Sequence, residues 1–93
     1  MDIPIRHDKE GRRFVADLAD ATAELTYLFR DATTVIFNHT YVPPSGRGTG
    51  VAAALAARAL EWARASGFGV VPVCSYVAMY MQRHREYEDL LAR

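Results

Sequence analysis

The amino-acid sequence points to an α+β fold: a mostly antiparallel sheet of about five strands, a βαβ crossover opened by a glycine loop, and helices at the C-terminal end. The first half of the chain alternates apolar and polar residues with a period of two, the pattern of half-buried strands. The second half carries an alanine-rich stretch with apolar residues at helical spacing. Between the halves, three glycines fall within residues 45–50, directly after Pro43-Pro44.

Ile3 and Ile5 alternate with polar neighbours and read as a weak strand. Residues 7–11 are polar, end in glycine and read as a turn. Phe14, Ala16 and Leu18 alternate with Arg13, Val15 and Asp17, as in a strand with one face buried. Residues 19–21 make a hairpin turn, and Ala23, Leu25, Tyr27 and Phe29 form the apolar face of the next strand. Asp31-Ala32 is the following turn. Residues 33–42 are rich in β-branched and aromatic side chains, which favour a strand. Pro43-Pro44 stops it, because proline cannot donate to a ladder.

A helix begins near Thr49 or Gly50. Val51, Leu55, Ala59 and Trp62 lie on one side of it, and Arg58, Glu61 and Arg64 on the wetter side. Ser66-Gly67 ends it, with Gly67 as a left-handed cap. Val70, Val71 and Val73 form a short strand that is apolar on both faces, as a strand parallel to its neighbour tends to be. Pro72 inside it requires an edge, a bulge or a splay from the partner strand. Residues 75–83 form a further helix and residues 86–92 a last short one.

With 93 residues, the chain is expected to form one domain, residues 1–93. The 11 basic and 11 acidic residues cancel. A protein that rides on a nucleic-acid backbone carries a basic surplus, so no nucleic-acid partner is expected. The apolar runs are too short for a membrane span, and the first residues do not form a signal peptide. No membrane partner is expected, and cytoplasm is the default compartment. One cysteine excludes an internal disulfide, and His7, His39 and His84 show no ligand spacing, so no metal site is expected.

A helix start presents unpaired N–H groups and the positive end of the helix dipole. Glycines before it let the backbone approach an anion closely. Together they make a phosphate cradle, to which Arg47 adds a charge and Thr49 a hydroxyl. The plain alternative is a flexible turn. The loop is not a Walker loop, since no Gly-Lys-Ser/Thr closes it. Nor is it a dinucleotide fingerprint, because no acidic residue ends a second strand at the right distance.

Arg47-Gly48-Thr49-Gly50-Val51-Ala52 resembles the Q/R-x-x-G-x-G/A motif of the GNAT acetyltransferases. The segments His39-Thr40-Tyr41-Val42-Pro43-Pro44, Val71-Pro72-Val73-Cys74-Ser75-Tyr76-Val77 and Arg83-His84-Arg85-Glu86-Tyr87 are similar to those of a family of very small GNAT-like proteins. The resemblance spans essentially the whole chain. It implies a compact GNAT-like fold and an N-acetyltransferase that uses acetyl-CoA as co-substrate. It implies that backbone groups around Tyr41 and Val42 bond the pantetheine arm of coenzyme A. It also implies that the amides of Arg47, Gly48, Thr49, Gly50, Val51 and Ala52 hold the pyrophosphate. The strand ending at Cys74 would splay from the preceding one to leave a slot. Arg85 stands where the family favours proline, and Ser45-Gly46 is small and flexible enough to loosen the cradle. The helices that shape the acceptor site in larger members have no counterpart here, so that site should be open and shallow.

Three residues are catalytic candidates. Cys74, at a strand end and before a helix, could take the acetyl group covalently, or be a small buried cysteine. In direct attack by an amine, His39 could be the base, or simply a structural histidine. Tyr76 could protonate the departing thiolate, as could Tyr80; either could equally be a packed tyrosine. Glu24 could orient an amine or be an exposed strand residue. The acceptor is expected to be a small-molecule or protein amine, and the chain a monomer or weak homodimer. The alternative is a non-catalytic acyl-CoA-binding module.

Overall fold

The computed structural model describes residues 3–92. One five-stranded sheet is formed by β1 (Arg6–Asp8), β2 (Arg13–Asp17), β3 (Thr22–Asp31), β4 (Thr34–Tyr41) and β5 (Gly69–Pro72), and the spatial order follows the chain order. The first four strands pair antiparallel, and β5 lies parallel to β4. The parallel step needs a crossover, which is α1 (Val51–Ser66). Helix α2 (Ser75–Arg83) and a 3-10 helix (Arg85–Leu90) complete the chain.

Pro72 is the last residue of β5, and β5 is an edge strand, so the missing N–H breaks no ladder. Helix α1 ends at Gly67, whose φ of 75° is left-handed and whose amide closes on Ala63 and Arg64 carbonyls. The first strand lies at Arg6–Asp8, later than the Ile3 and Ile5 alternation suggests. Ion pairs hold it there: Arg6 meets Asp17 at 2.7 Å and Asp8 meets Arg13 at 2.9 Å.

The core lies between one sheet face and the helices. Phe14, Leu25, Phe37, Leu55, Leu60, Val70 and Val77 are fully buried there. Val15 is buried as well, yet it points to the other face, between neighbours Arg6 and Glu24 on the flanking strands. On that face Arg13 bonds both Asp8 and Glu24 at 2.9 Å, in a row of ion pairs beside the valine.

An irregularity in β4 decides which side chains reach the site. Tyr27 pairs with Phe37, but Thr26 pairs with His39, so Asn38 is one residue too many. Such a bulge reverses the alternation. Phe37 points to the core. Beyond the bulge Thr40, paired with Leu25, faces the helices, while His39 and Tyr41, paired with Thr26 and Glu24, face away from them. Parallel pairing with β5 stops at Phe37 and Pro72, and Cys74 N–H makes the last bond, to the Phe37 carbonyl at 2.8 Å. Residues 38–41 of β4 therefore run on without a partner on that side.

Candidate functional site

The site grows out of the chain reversal after β4. Pro43 is buried, and Pro44–Gly46 form a 3-10 turn in which the Gly46 and Arg47 amides bond the Pro43 and Pro44 carbonyls. Gly46 is buried too. A Cβ there would stand 2.9 Å from Leu18 Cδ1 and 3.1 Å from Val42 Cγ1. The absent side chain seats the turn against the sheet, so Gly46 fixes the loop instead of loosening it.

Gly48 and Gly50 are glycines for another reason. Their φ angles are 78° and 86°, with nothing within 4 Å of a would-be Cβ. The backbone conformation demands them, and their open side leaves room for a ligand. Thr49 braces the loop from within, because its amide and its hydroxyl both donate to the Gly46 carbonyl. The Arg47 and Thr49 amides are thus engaged inside the loop. Among the described residues, the N–H groups of Gly48, Gly50, Val51, Ala52 and Ala53 make no hydrogen bond with the protein. They converge at the positive end of α1, whose first turn holds no acidic residue. Ala53 was not singled out by motif; the rule that a helix leaves its first amides free extends to it.

These groups line a cleft of about 310 Å³, closed on its other side by Val42 and Tyr76. Arg47 is exposed at its wall. Of the residues singled out from sequence, Val42, Arg47, Gly48, Gly50, Val51, Ala52 and Tyr76 meet at this cleft. Thr49 lies behind it. Tyr41, 47% exposed, and His39, also exposed, emerge on the opposite sheet face. Cys74, half-buried, caps the start of α2, with its sulfur 3.2 Å from Thr40 Oγ1. The Tyr76 phenol is pushed up by burial, against which the Arg83 charge pulls, so it is protonated at neutral pH. Tyr80 is raised by burial as well and is packed against His84 at 4.0 Å. Glu24 accepts from Arg13 through Oε1 at 2.9 Å, on the sheet face away from the cleft. Among the described residues no group of three or more His, Cys, Asp or Glu could hold a metal ion, and no helix is long and apolar enough to cross a membrane.

A mixed sheet whose last two strands part beside a glycine-shaped helix start defines a small α+β protein with a cleft at the N-terminal end of its crossover helix. Comparison with known proteins narrows that class. The model of the family described as GCN5-related N-acetyl-transferase matches residues 13–90. The chain belongs to that family. Its fold is similar to the solution structure of a GCN5-like N-acetyltransferase candidate from Staphylococcus aureus, with a TM-score of 0.71 and 24% sequence identity over 97% of this chain and 88% of that one.

Proposed function

We propose that the protein binds acetyl-CoA and transfers its acetyl group to an amine. The observation that carries this reading is the set of five unpaired amides, Gly48, Gly50, Val51, Ala52 and Ala53, around one cleft beside Arg47. Convergent amides at a helix start favour a phosphate, and a pyrophosphate is large enough to use several of them. The unpaired edge of β4 at Tyr41 and Val42 offers backbone groups to the amide-bearing pantetheine arm. The thioester would then lie near the gap between β4 and β5, close to Cys74.

In the transfer, the amine nitrogen attacks the thioester carbonyl carbon, the C–S bond breaks, and the amine gives up a proton while the thiolate gains one. Tyr76, protonated and on the cleft side, is the acid for the thiolate. His39 lies on the open sheet face and is the base for an amine arriving from that side. Cys74 packs at the junction between the two, and transfer is direct. The acceptor is a small-molecule or protein amine, met on a face that no helix covers among the described residues.

That bare face also favours a second reading, in which the protein holds acyl-CoA without turning it over. Two measurements separate the readings. Titration calorimetry with acetyl-CoA should show binding in the micromolar range, and its absence at millimolar ligand would remove both. Turnover with a panel of amines, compared with His39→Ala and Tyr76→Phe, should then exceed background only in an enzyme.

A further inference from the structure

The chain has 11 basic residues, and most are occupied. Five arginines pair with carboxylates. Arg12 and Arg58 lie over the rings of Phe29 and Phe14 at 5.9 and 5.6 Å. Among the described residues, only Lys9, Arg47 and Arg83 have neither kind of partner. Lys9 is in the turn after β1, remote in the sheet order from β4. Arg47 is on the cleft wall. Arg83 is exposed in the last turn of α2, seven residues after Tyr76, which lines the same cleft.

Seven residues are close to two full helical turns, so Tyr76 and Arg83 share a face of α2. Side chains on a helix tilt toward its N-terminus, which aims the Arg83 guanidinium back along α2 toward Tyr76. The positive charge acting on the Tyr76 hydroxyl agrees with that placement. One uncommitted arginine thus stands on the loop wall of the cleft, and a second lies two turns further along the helix whose Tyr76 lines it. A ligand with a single phosphate group at the loop gives Arg83 nothing to meet. Coenzyme A carries a second anion, the 3′-phosphate on its ribose, apart from the pyrophosphate.

We propose that Arg83 is a specificity-determining residue for the 3′-phosphate of coenzyme A, while the loop amides and Arg47 hold the pyrophosphate. The proposal rests on the coenzyme A reading above. An exposed arginine–phosphate contact is worth a modest factor and is screened by salt. The wild-type protein should bind coenzyme A about fivefold more tightly than dephospho-coenzyme A at low salt, and the margin should shrink as salt rises.

The test is calorimetry with both ligands on wild type, Arg83→Gln and Arg83→Lys, with thermal melts to verify folding. Arg83→Gln should lose the margin by weakening coenzyme A alone, with dephospho-coenzyme A bound as by wild type. Arg83→Lys should recover part of it. An equal loss for both ligands, or no loss for either, would overturn the assignment while the coenzyme A reading stands. Binding of neither ligand by wild type would overturn that reading and this one with it.

Discussion

Thr40 Oγ1 and Cys74 Sγ lie 3.2 Å apart, at the point where β4 and β5 part company. The contact exists because of the bulge at Asn38. Without the extra residue, Thr40 would point to the open face and His39 to the helices. The bulge therefore separates the three catalytic candidates. It leaves Cys74 facing a hydroxyl at the strand gap, Tyr76 in the cleft and His39 on the far side of the sheet.

This arrangement bears on the route of transfer. A sulfur that shares a hydrogen with Thr40 has a packing role available without any covalent one. Cys74→Ala is expected to keep turnover within about threefold of wild type, a change under 1 kcal/mol in barrier. Thr40→Val should behave alike. Steady-state kinetics checks both, together with mass spectrometry after incubation with acetyl-CoA. A loss of a hundredfold or more in Cys74→Ala, with an acetyl group recovered on Cys74 in wild type, would move the reaction to a thioester on the protein.

The glycines of the loop allow a sharper comparison. Gly48, Gly50 and Gly67 all have left-handed φ and open space around a would-be Cβ. A side chain at any of them costs about 1–2 kcal/mol of backbone strain, and more for a β-branched one. Only the first two line the cleft. Gly48→Val and Gly50→Val should lower acetyl-CoA affinity at least tenfold, or about 1.4 kcal/mol. Gly67→Val should lower the melting temperature to a similar extent and leave affinity unchanged. Equal affinities in all three variants would return the loop to an ordinary turn.

Much of this was legible in the sequence because it follows from local chemistry. The proline stop, the glycine run, the alanine-rich α1 and its Gly67 cap each write themselves in a few adjacent residues. The parallel strand at Val70 and Val71 and the start of α2 were legible for the same reason, although the strand stops at Pro72 and does not include Val73. What was not legible depends on pairing across the sheet. The alternation in residues 33–42 gave no sign that Asn38 would bulge, so the faces of His39 and Thr40 could not be assigned. The burial of Val15 follows from its place between Arg6 and Glu24 on strands that meet only in the fold. Nor could a motif show that the Arg47 and Thr49 amides close the loop on itself while Gly48 and Gly50 leave theirs free.

His7 should make the protein sensitive to mild acid. It is half-buried, stacked on Phe14 at 4.1 Å, edge-on to Trp62 at 4.9 Å, and its Nε2 lies 2.8 Å from the Tyr27 hydroxyl. Burial lowers its pKa, with Lys9 and Arg58 acting in the same direction and Asp8 against them. The unfolded chain takes up a proton near pH 6.5, while the folded protein resists until lower pH. Stability is therefore full above about pH 6.5 and falls as the pH drops toward the folded value. The urea midpoint should decline between about pH 7 and 5, before the carboxylates near pH 4 begin to titrate. His7→Phe should flatten that decline, whatever its effect on absolute stability. A parallel decline in the variant would assign the acid response elsewhere.

Tyr76→Phe tests the proposed acid, and the size of its effect follows from the groups involved. The ring that lines the cleft is kept, so acetyl-CoA affinity should change by less than about twofold, in line with the small cost of removing an exposed or half-buried hydroxyl. The departing group is a thiolate, whose conjugate acid has a pKa of about 8.5, and the phenol starts near 10 and is raised further by burial. Proton transfer from Tyr76 is thus uphill even once the C–S bond is fully broken. A thiolate is also stable enough to leave with little help. The loss in kcat should be about tenfold, below the usual range of general acid–base contributions and far from the thousandfold expected for a poor leaving group. In wild type the rate should fall in strong alkali as the phenol ionises, and the variant should lack that limb. A variant with wild-type kcat at every pH would mean that solvent supplies the proton and that Tyr76 only shapes the cleft.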